Sequence, residues 1–196
     1  NGFPGPVFDD GTVAIAVAAD GDIFATSFTD GVFKSTNNGE SWINTNFPNS
    51  FIVTLVIDQN KRIYAGAGGG SGVFVSTNNG LNWLQKNNGL PVPAQISALC
   101  ISASGDLYAG IASGGNSAIY RSTDNAENWL PTNLVNANPD NIVSYGSNVY
   151  AAVYTHGVYR TTDSGQNWTL VNTGLTNKKI NRLFAGSSGL FAASDS

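Results

Sequence analysis

Residues 35–42 read STNNGESW, and the same eight-residue pattern returns as STNNGLNW (76–83), STDNAENW (122–129) and TTDSGQNW (161–168). Four near-copies in register restrict the chain to a fold assembled from repeated supersecondary units. The four tryptophans, Trp42, Trp83, Trp129 and Trp168, lie 41, 46 and 39 residues apart. A period near 40 with four short strand signals in each unit is the pattern of a propeller blade.

The second unit shows the parts. IVTLVID (52–58) is a near-continuous apolar run, as expected of a strand covered on both faces. RIYAGAG (62–68) and GVFVS (72–76) supply a second and third strand, and NWLQK (82–86) a fourth. The second strand recurs five times as aliphatic, aromatic, alanine: Ile23-Phe24-Ala25, Ile63-Tyr64-Ala65, Leu107-Tyr108-Ala109, Val149-Tyr150-Ala151 and Leu190-Phe191-Ala192. No stretch keeps a helical period. The fold class is therefore all-β, a propeller of four-stranded antiparallel blades. The blades are expected at about 11–46, 51–87, 95–133 and 140–172, with part of a fifth at 178–196.

Each repeated octet falls in the turn between third and fourth strands, where its residue types suit scaffolding. An Asp or Asn side chain can hydrogen-bond the backbone two residues on. Glycine accepts the positive φ that such turns require. Tryptophan brings a large apolar ring beneath the hairpin. The structural set is Ser35, Asn37, Gly39 and Trp42; Ser76, Asn78, Gly80 and Trp83; Ser122, Asp124 and Trp129; and Thr161, Asp163, Gly165 and Trp168. Ala126 replaces the glycine of the third turn, which should be strained or rebuilt.

The pattern Ser/Thr-x-Asp-x-Gly-x-x-Trp resembles the Asp-box, or BNR repeat, of sialidases, sortilin-type receptors, xyloglucanase-like glycoside hydrolases and secreted bacterial propellers. The fourth turn matches it fully through Thr161, Asp163, Gly165 and Trp168; Asn37 and Asn78 stand for Asp in the first two. The resemblance covers nearly the whole chain. It implies a secreted or cell-surface location and a bacterial source. It does not imply one activity, since the same turn serves unrelated functions.

Only 11% of the 196 residues are charged, and the net charge is −4 with a pI near 4.7. The nine basic residues are scattered, which argues against nucleic acid as a partner. It also argues against a propeller of the photosystem-assembly type, which would present a strong basic patch. The apolar runs are too short for a helical membrane span. The lone Cys100 aligns with Ala16 and Val56 and reads as a buried small residue.

Residues 1–10, NGFPGPVFDD, resemble the links that follow fourth strands, NNGLPVPAQ (87–95) and NTGLTNKK (172–179). The chain thus reads as four blades and half of another, from a ring of six to eight. An open ring would leave a flat apolar face wet at each end; ~400 Å² so exposed forfeits roughly 10 kcal/mol. Further blades, from the same longer chain or from a partner chain, are therefore expected to cover both ends.

Strand order puts the octet turns and the first-to-second turns on one face. The opposite face carries the longer, more varied loops SFTDG (27–31), GAGGGSG (66–72), IASGGNSA (111–118) and VYTHG (153–157). Varied loops on a rigid scaffold are where ligands usually sit. Phe28, Asp30, Tyr154 and His156 are the ligand-binding candidates, suited to a polysaccharide or a protein partner. Against this stands a simpler reading, in which Asp30, Ser71 and His156 merely precede a recurrent turn glycine. With one histidine, a His-based metal site is not expected, nor is any cofactor.

A sialidase-like activity needs three convergent arginines, yet Arg121 and Arg160 hold equivalent repeat positions and should point alike around the rim. That family's Arg-Ile-Pro signature is absent. A xyloglucanase-like resemblance would make Asp30 the single catalytic candidate. Glycoside hydrolysis uses a pair of carboxylates, however, and the second would come from another propeller. The preferred expectation is a non-catalytic binding or scaffold module, with a fragment of a β-glucan hydrolase as the alternative.

Overall fold

A computed structural model describes residues 12–48, 51–112 and 117–194. The described residues form eighteen strands and no helix. Blade one comprises β1 (Thr12–Val17), β2 (Ile23–Ser27), β3 (Gly31–Ser35) and β4 (Ile43–Asn44). Blade two comprises β5 (Ile52–Ile57), β6 (Ile63–Ala67), β7 (Gly72–Ser76) and β8 (Leu84–Gln85). Blade three comprises β9 (Ile96–Ile101), β10 (Leu107–Ile111), β11 (Ala118–Ser122) and β12 (Leu130–Val135). Blade four comprises β13 (Pro139–Tyr145), β14 (Asn148–Val153), β15 (Gly157–Thr161) and β16 (Thr169–Leu170). Last come β17 (Ile180–Gly186) and β18 (Gly189–Ser194), a two-stranded fifth unit. Every blade is an antiparallel meander in chain order, as the repeat predicts.

The fourth strand of blade two is shorter than 82–86. Leu84 and Gln85 form its ladder with β7 and Lys86 N–H still donates to Val73 O, whereas Asn82 N–H is taken by Asn78 within the turn. The reading of residues 1–10 as a link, and the tip of the 111–118 loop, lie outside the described residues.

Register explains the recurrent aliphatic–aromatic–alanine triplet. Leu55 lies opposite Ala65 and Val56 opposite Tyr64; Leu99 and Cys100 lie likewise opposite Ala109 and Tyr108. Because side chains alternate across a strand, each blade shows its alanine on one face and its aromatic ring on the other. Phe24 of blade one shares a core with Leu55 and Ala65 of blade two. Tyr64 then meets Leu99 and Ala109, and Tyr108 meets Ile142 and Ala151. The alanine leaves room for the ring from the preceding blade, so the triplet is a blade-stacking device. Cys100 is buried in this layer, and desolvation pushes its thiol up to about 12, which removes it as a nucleophile.

The two end blades break the pattern. Ile15, aligned with the buried Leu55 and Leu99, is 63% exposed, and neighbouring Val17 is equally open. At the other end Phe191 is 54% exposed, whereas its equivalents Phe24, Tyr64 and Tyr108 are at most 1% exposed. The same position is dry in blades one to three, where a four-stranded blade follows, and only partly buried at Tyr150, where the two-stranded unit follows.

Candidate functional site

The four octet turns share one hydrogen-bond scheme. In the first, Ser35 Oγ accepts from Gly39 N–H at 2.9 Å and donates to Asn37 Oδ1 at 2.9 Å. Ser76, Ser122 and Thr161 repeat both bonds. The hydroxyls are buried, and each neutralises a backbone donor that would otherwise be stranded. The Asx oxygen then accepts from the backbone N–H four residues on, at Ser41, Asn82, Asn128 and Asn167. The expected two-residue bond is thus replaced by one that spans the whole turn. Two successive residues with positive φ force that geometry: Asn38 and Gly39, Asn79 and Gly80, Asn125 and Ala126, Ser164 and Gly165.

The Asp and Asn versions differ in what they give the residue four positions later. Asp124 and Asp163 accept from the Asn128 and Asn167 side-chain amides at 2.8 and 2.7 Å. Asn37 instead donates its amide to Ser41 Oγ at 2.8 Å. The Asn128 side-chain bond, followed by that residue's backbone N–H, lowers the Asp124 pKa. For Asp163 the backbone N–H of Asn167 leads, followed by its side chain. Every Asp-turn oxygen is used internally. Among the described residues, no three His, Cys, Asp or Glu side chains gather as a metal site.

Ala126 is strained and the turn is not rebuilt. It holds φ +70° and keeps its bond to Ser122 Oγ at 2.9 Å. The four tryptophans are not equally buried. Only Trp129 is completely enclosed, with its Nε1 donating to Lys86 O of the preceding blade at 3.0 Å. Trp42, half-buried, donates to Gly39 O of its own turn. Whether a ring reaches the preceding blade depends on packing that the octet does not encode.

On the opposite face the four ligand candidates form two pairs. Tyr154 and His156 border an open cleft of about 450 Å³ between blades three and four, with Ser117, Asn136, Asn138 and Thr155. Tyr154 is exposed, and the His156 ring lies 3.1 Å from Tyr154 O. Phe28 and Asp30 lie in blade one, two blades away. Phe28 packs on Phe51 of blade two with ring centroids 4.4 Å apart. The Asp30 carboxylate accepts from Thr29 Oγ1 at 2.8 Å and Ser27 Oγ at 3.2 Å, within its own loop.

The backbone around these residues has a structural job. Asn87 Oδ1 accepts from Val73 N–H, and its amide donates to Ser71 O. Asn172 does the same for Val158 N–H and His156 O. Asn44 reaches Asp30 O. The side chain occupies the space a Cβ would fill at Gly72 or Gly157, which accounts for the recurrent glycine. The asparagines that open NNG (87–89) and NTG (172–174) are therefore clamps. The repeat was visible in the sequence, but its partner across the loop was not.

No family model matches the chain, and no curated protein matches it. Among solved structures, virginiamycin B lyase from Staphylococcus aureus aligns with a TM-score of 0.76 at 18% identity, over 97% of this chain and 66% of that one. The GH74 xyloglucanase from Xanthomonas campestris aligns with 0.71 at 16%, over 87% of this chain and 33% of that one. PorZ, a bacterial surface component of the type-IX secretion system of Porphyromonas gingivalis, aligns with 0.67 at 14%, over 93% and 32%. The chain spans about two thirds of the lyase and a third of the other two. Among the described residues no helix is long and apolar enough to cross a membrane. The neighbours are β-propeller proteins, some enzymes and some surface components, and at these identities the likeness establishes that this chain has the β-propeller fold.

Proposed function

We propose that this protein is a secreted or surface-displayed propeller, with Asp-box turns, that binds a polysaccharide and does not cleave it. The observation that carries this reading is the cleft between blades three and four. It joins an exposed aromatic, Tyr154, to hydroxyl, amide and imidazole groups on the variable-loop face. A sugar ring offers an apolar face for stacking and hydroxyls for such polar neighbours. Surface propellers such as PorZ supply an analogy for location. Asp30 faces its own loop hydroxyls, which favours binding over hydrolysis.

Affinity electrophoresis of the protein in gels carrying xyloglucan or pectin tests the reading. Retardation by at least one polymer is expected, and Tyr154→Ala should abolish it. Absence of retardation in both gels overturns it. Release of reducing ends by the protein, lost in Asp30→Ala, would replace it with a hydrolase.

The chain is further read as four and a half blades of a six- to eight-bladed ring. The exposed Ile15 and Phe191 support this reading, since blade-to-blade contact buries their inner equivalents, Leu55 and Leu99 for the first and Phe24, Tyr64 and Tyr108 for the second. An intact mass of the native protein well above 20.4 kDa would fit ring closure within one chain. A native monomer of 20.4 kDa would refute it.

A further inference from the structure

A second cleft, of about 420 Å³, opens on the octet face between blades two and three. It is lined by residues 58–60 and Arg62 of one first-to-second turn, by residues 102–106 of the next, and by Thr123 and Asn125 of the third octet turn. Arg62 is among these lining residues. The residue in this repeat position is Asp22 in blade one and Asp106 in blade three, each paired with a cation of its own third strand, Lys34 or Arg121. Blade two inverts the charge: Val75 takes the cation's place, and Arg62 turns to Asp58.

The Arg62 guanidinium is held rigidly. Asp58 Oδ2 accepts from its Nε at 2.7 Å and from Tyr64 hydroxyl at 3.2 Å, while Oδ1 accepts from the Arg62 and Asn60 N–H groups. Nη1 and Nη2 make no hydrogen bond among the described residues, and the side chain keeps 26% of its surface open. The side-chain amides of Gln59, Asn60 and Asn125 and the Thr123 hydroxyl, all bordering the cleft, are also unbonded there. Asp106 Oδ2 already takes three donors, from Ser104 and Arg121. Both nearby carboxylates thus already hold a cation, whereas the Arg62 Nη groups, which can only donate, hold no acceptor among the described residues.

From these two open Arg62 donors, set among free amides, we infer that the cleft is a binding site for a carboxylated sugar of the uronic-acid class. Its carboxylate accepts from the two Arg62 Nη groups, and its hydroxyls lie against the Gln59, Asn60 and Asn125 amides. A planar guanidinium end presents paired donors that match a carboxylate. Because Asp58 holds the other side of the group, little side-chain entropy is lost on binding. The site lies on the face opposite Tyr154 and is independent of the polysaccharide reading proposed for that cleft.

Amide NMR of the isotope-labelled protein, titrated with galacturonate and separately with galactose, decides the matter. Galacturonate should shift the signals of Asn60, Ser104 and Asn125 and leave that of His156 in place; galactose should bind about tenfold or more weakly. Arg62→Gln should weaken galacturonate by about tenfold or more, with Asn125→Ala as a milder second variant that leaves the Asp58 pair intact. If wild type shows no shift at these residues, or galactose shifts them equally, the site does not exist as proposed. Undiminished binding by folded Arg62→Gln would also overturn it.

Discussion

The third and fourth octet turns carry the same hydrogen bonds around different residues, Ala126 and Gly165. Both backbones stand at positive φ, +70° and +89°. At Ala126 the methyl is completely buried in the core that also holds Trp129 and Leu90. At Gly165 a Cβ would come within 2.7 Å of Thr132 Cγ2 and 3.0 Å of its Cβ. The third turn thus offsets its backbone strain by apolar burial, and the fourth has no room to do so. Equal local geometry has been reached with different packing partners, a core shared with Trp129 and Leu90 at Ala126 and Thr132 of the preceding blade at Gly165.

The tryptophans give the sharpest test of that difference. Trp129→Ala should cost about 3–5 kcal/mol, since it removes a completely enclosed ring, and Trp42→Ala distinctly less. Urea-unfolding midpoints of the two variants would measure this, and equal losses would break the contrast. Next in size, Gly165→Ala should cost about 2–4 kcal/mol, from left-handed strain together with overpacking against Thr132. Gly39→Ala, whose Cβ would meet only Trp42 at 3.6 Å, should show the strain alone, about 1–2 kcal/mol.

Replacing the indoles by phenyl rings separates the hydrogen bond from the ring. Trp129→Phe strands Lys86 O and should lose about 1–3 kcal/mol for that bond beyond its lost ring contacts. The Trp168 Nε1 is buried without a partner, so Trp168→Phe should be the milder of the two and could stabilise the fold. The smallest effect belongs to Ala126→Gly. Relief of about 1–2 kcal/mol of strain is opposed by about 0.8 for the lost methyl and about 0.5–1 for glycine's chain entropy. Thermal melting should therefore move little in either direction.

Acid should distinguish the Asp turns from the Asn turns. The folded pKa values of Asp124 and Asp163 lie below the ordinary 3.8. Their contribution is present above the unfolded pKa and is lost as pH falls through the lower folded values. Hydrogen exchange at the backbone amides of Asn128 and Asn167 should accelerate below about pH 4, while Ser41 and Asn82 keep their protection. Substitution of Asn for both aspartates should remove the difference.

Much of this architecture was legible because the repeat exposes period-two strands, recurrent turns and a recurrent small–aromatic pairing. Asp30 and His156 show where legibility ended. Each looks like a candidate ligand residue in one dimension, yet its carbonyl is clamped by an asparagine fourteen or sixteen residues later. Arg62 was missed for a related reason: its neighbour across the cleft belongs to the next blade, about forty residues on.

The sequence alone determined the all-β class, the number of described blades, the position of the octet turns and the buried place of Cys100. These follow from side-chain alternation and local turn chemistry, which act over a few residues. Tertiary structure decided which tryptophan is enclosed, why Ala126 is tolerated, that Phe28 and Tyr154 lie apart, and that Arg62 borders a cleft between blades two and three. Those outcomes depend on how adjacent blades fill or leave the space between them, and packing of that kind is set by residues distant in the chain.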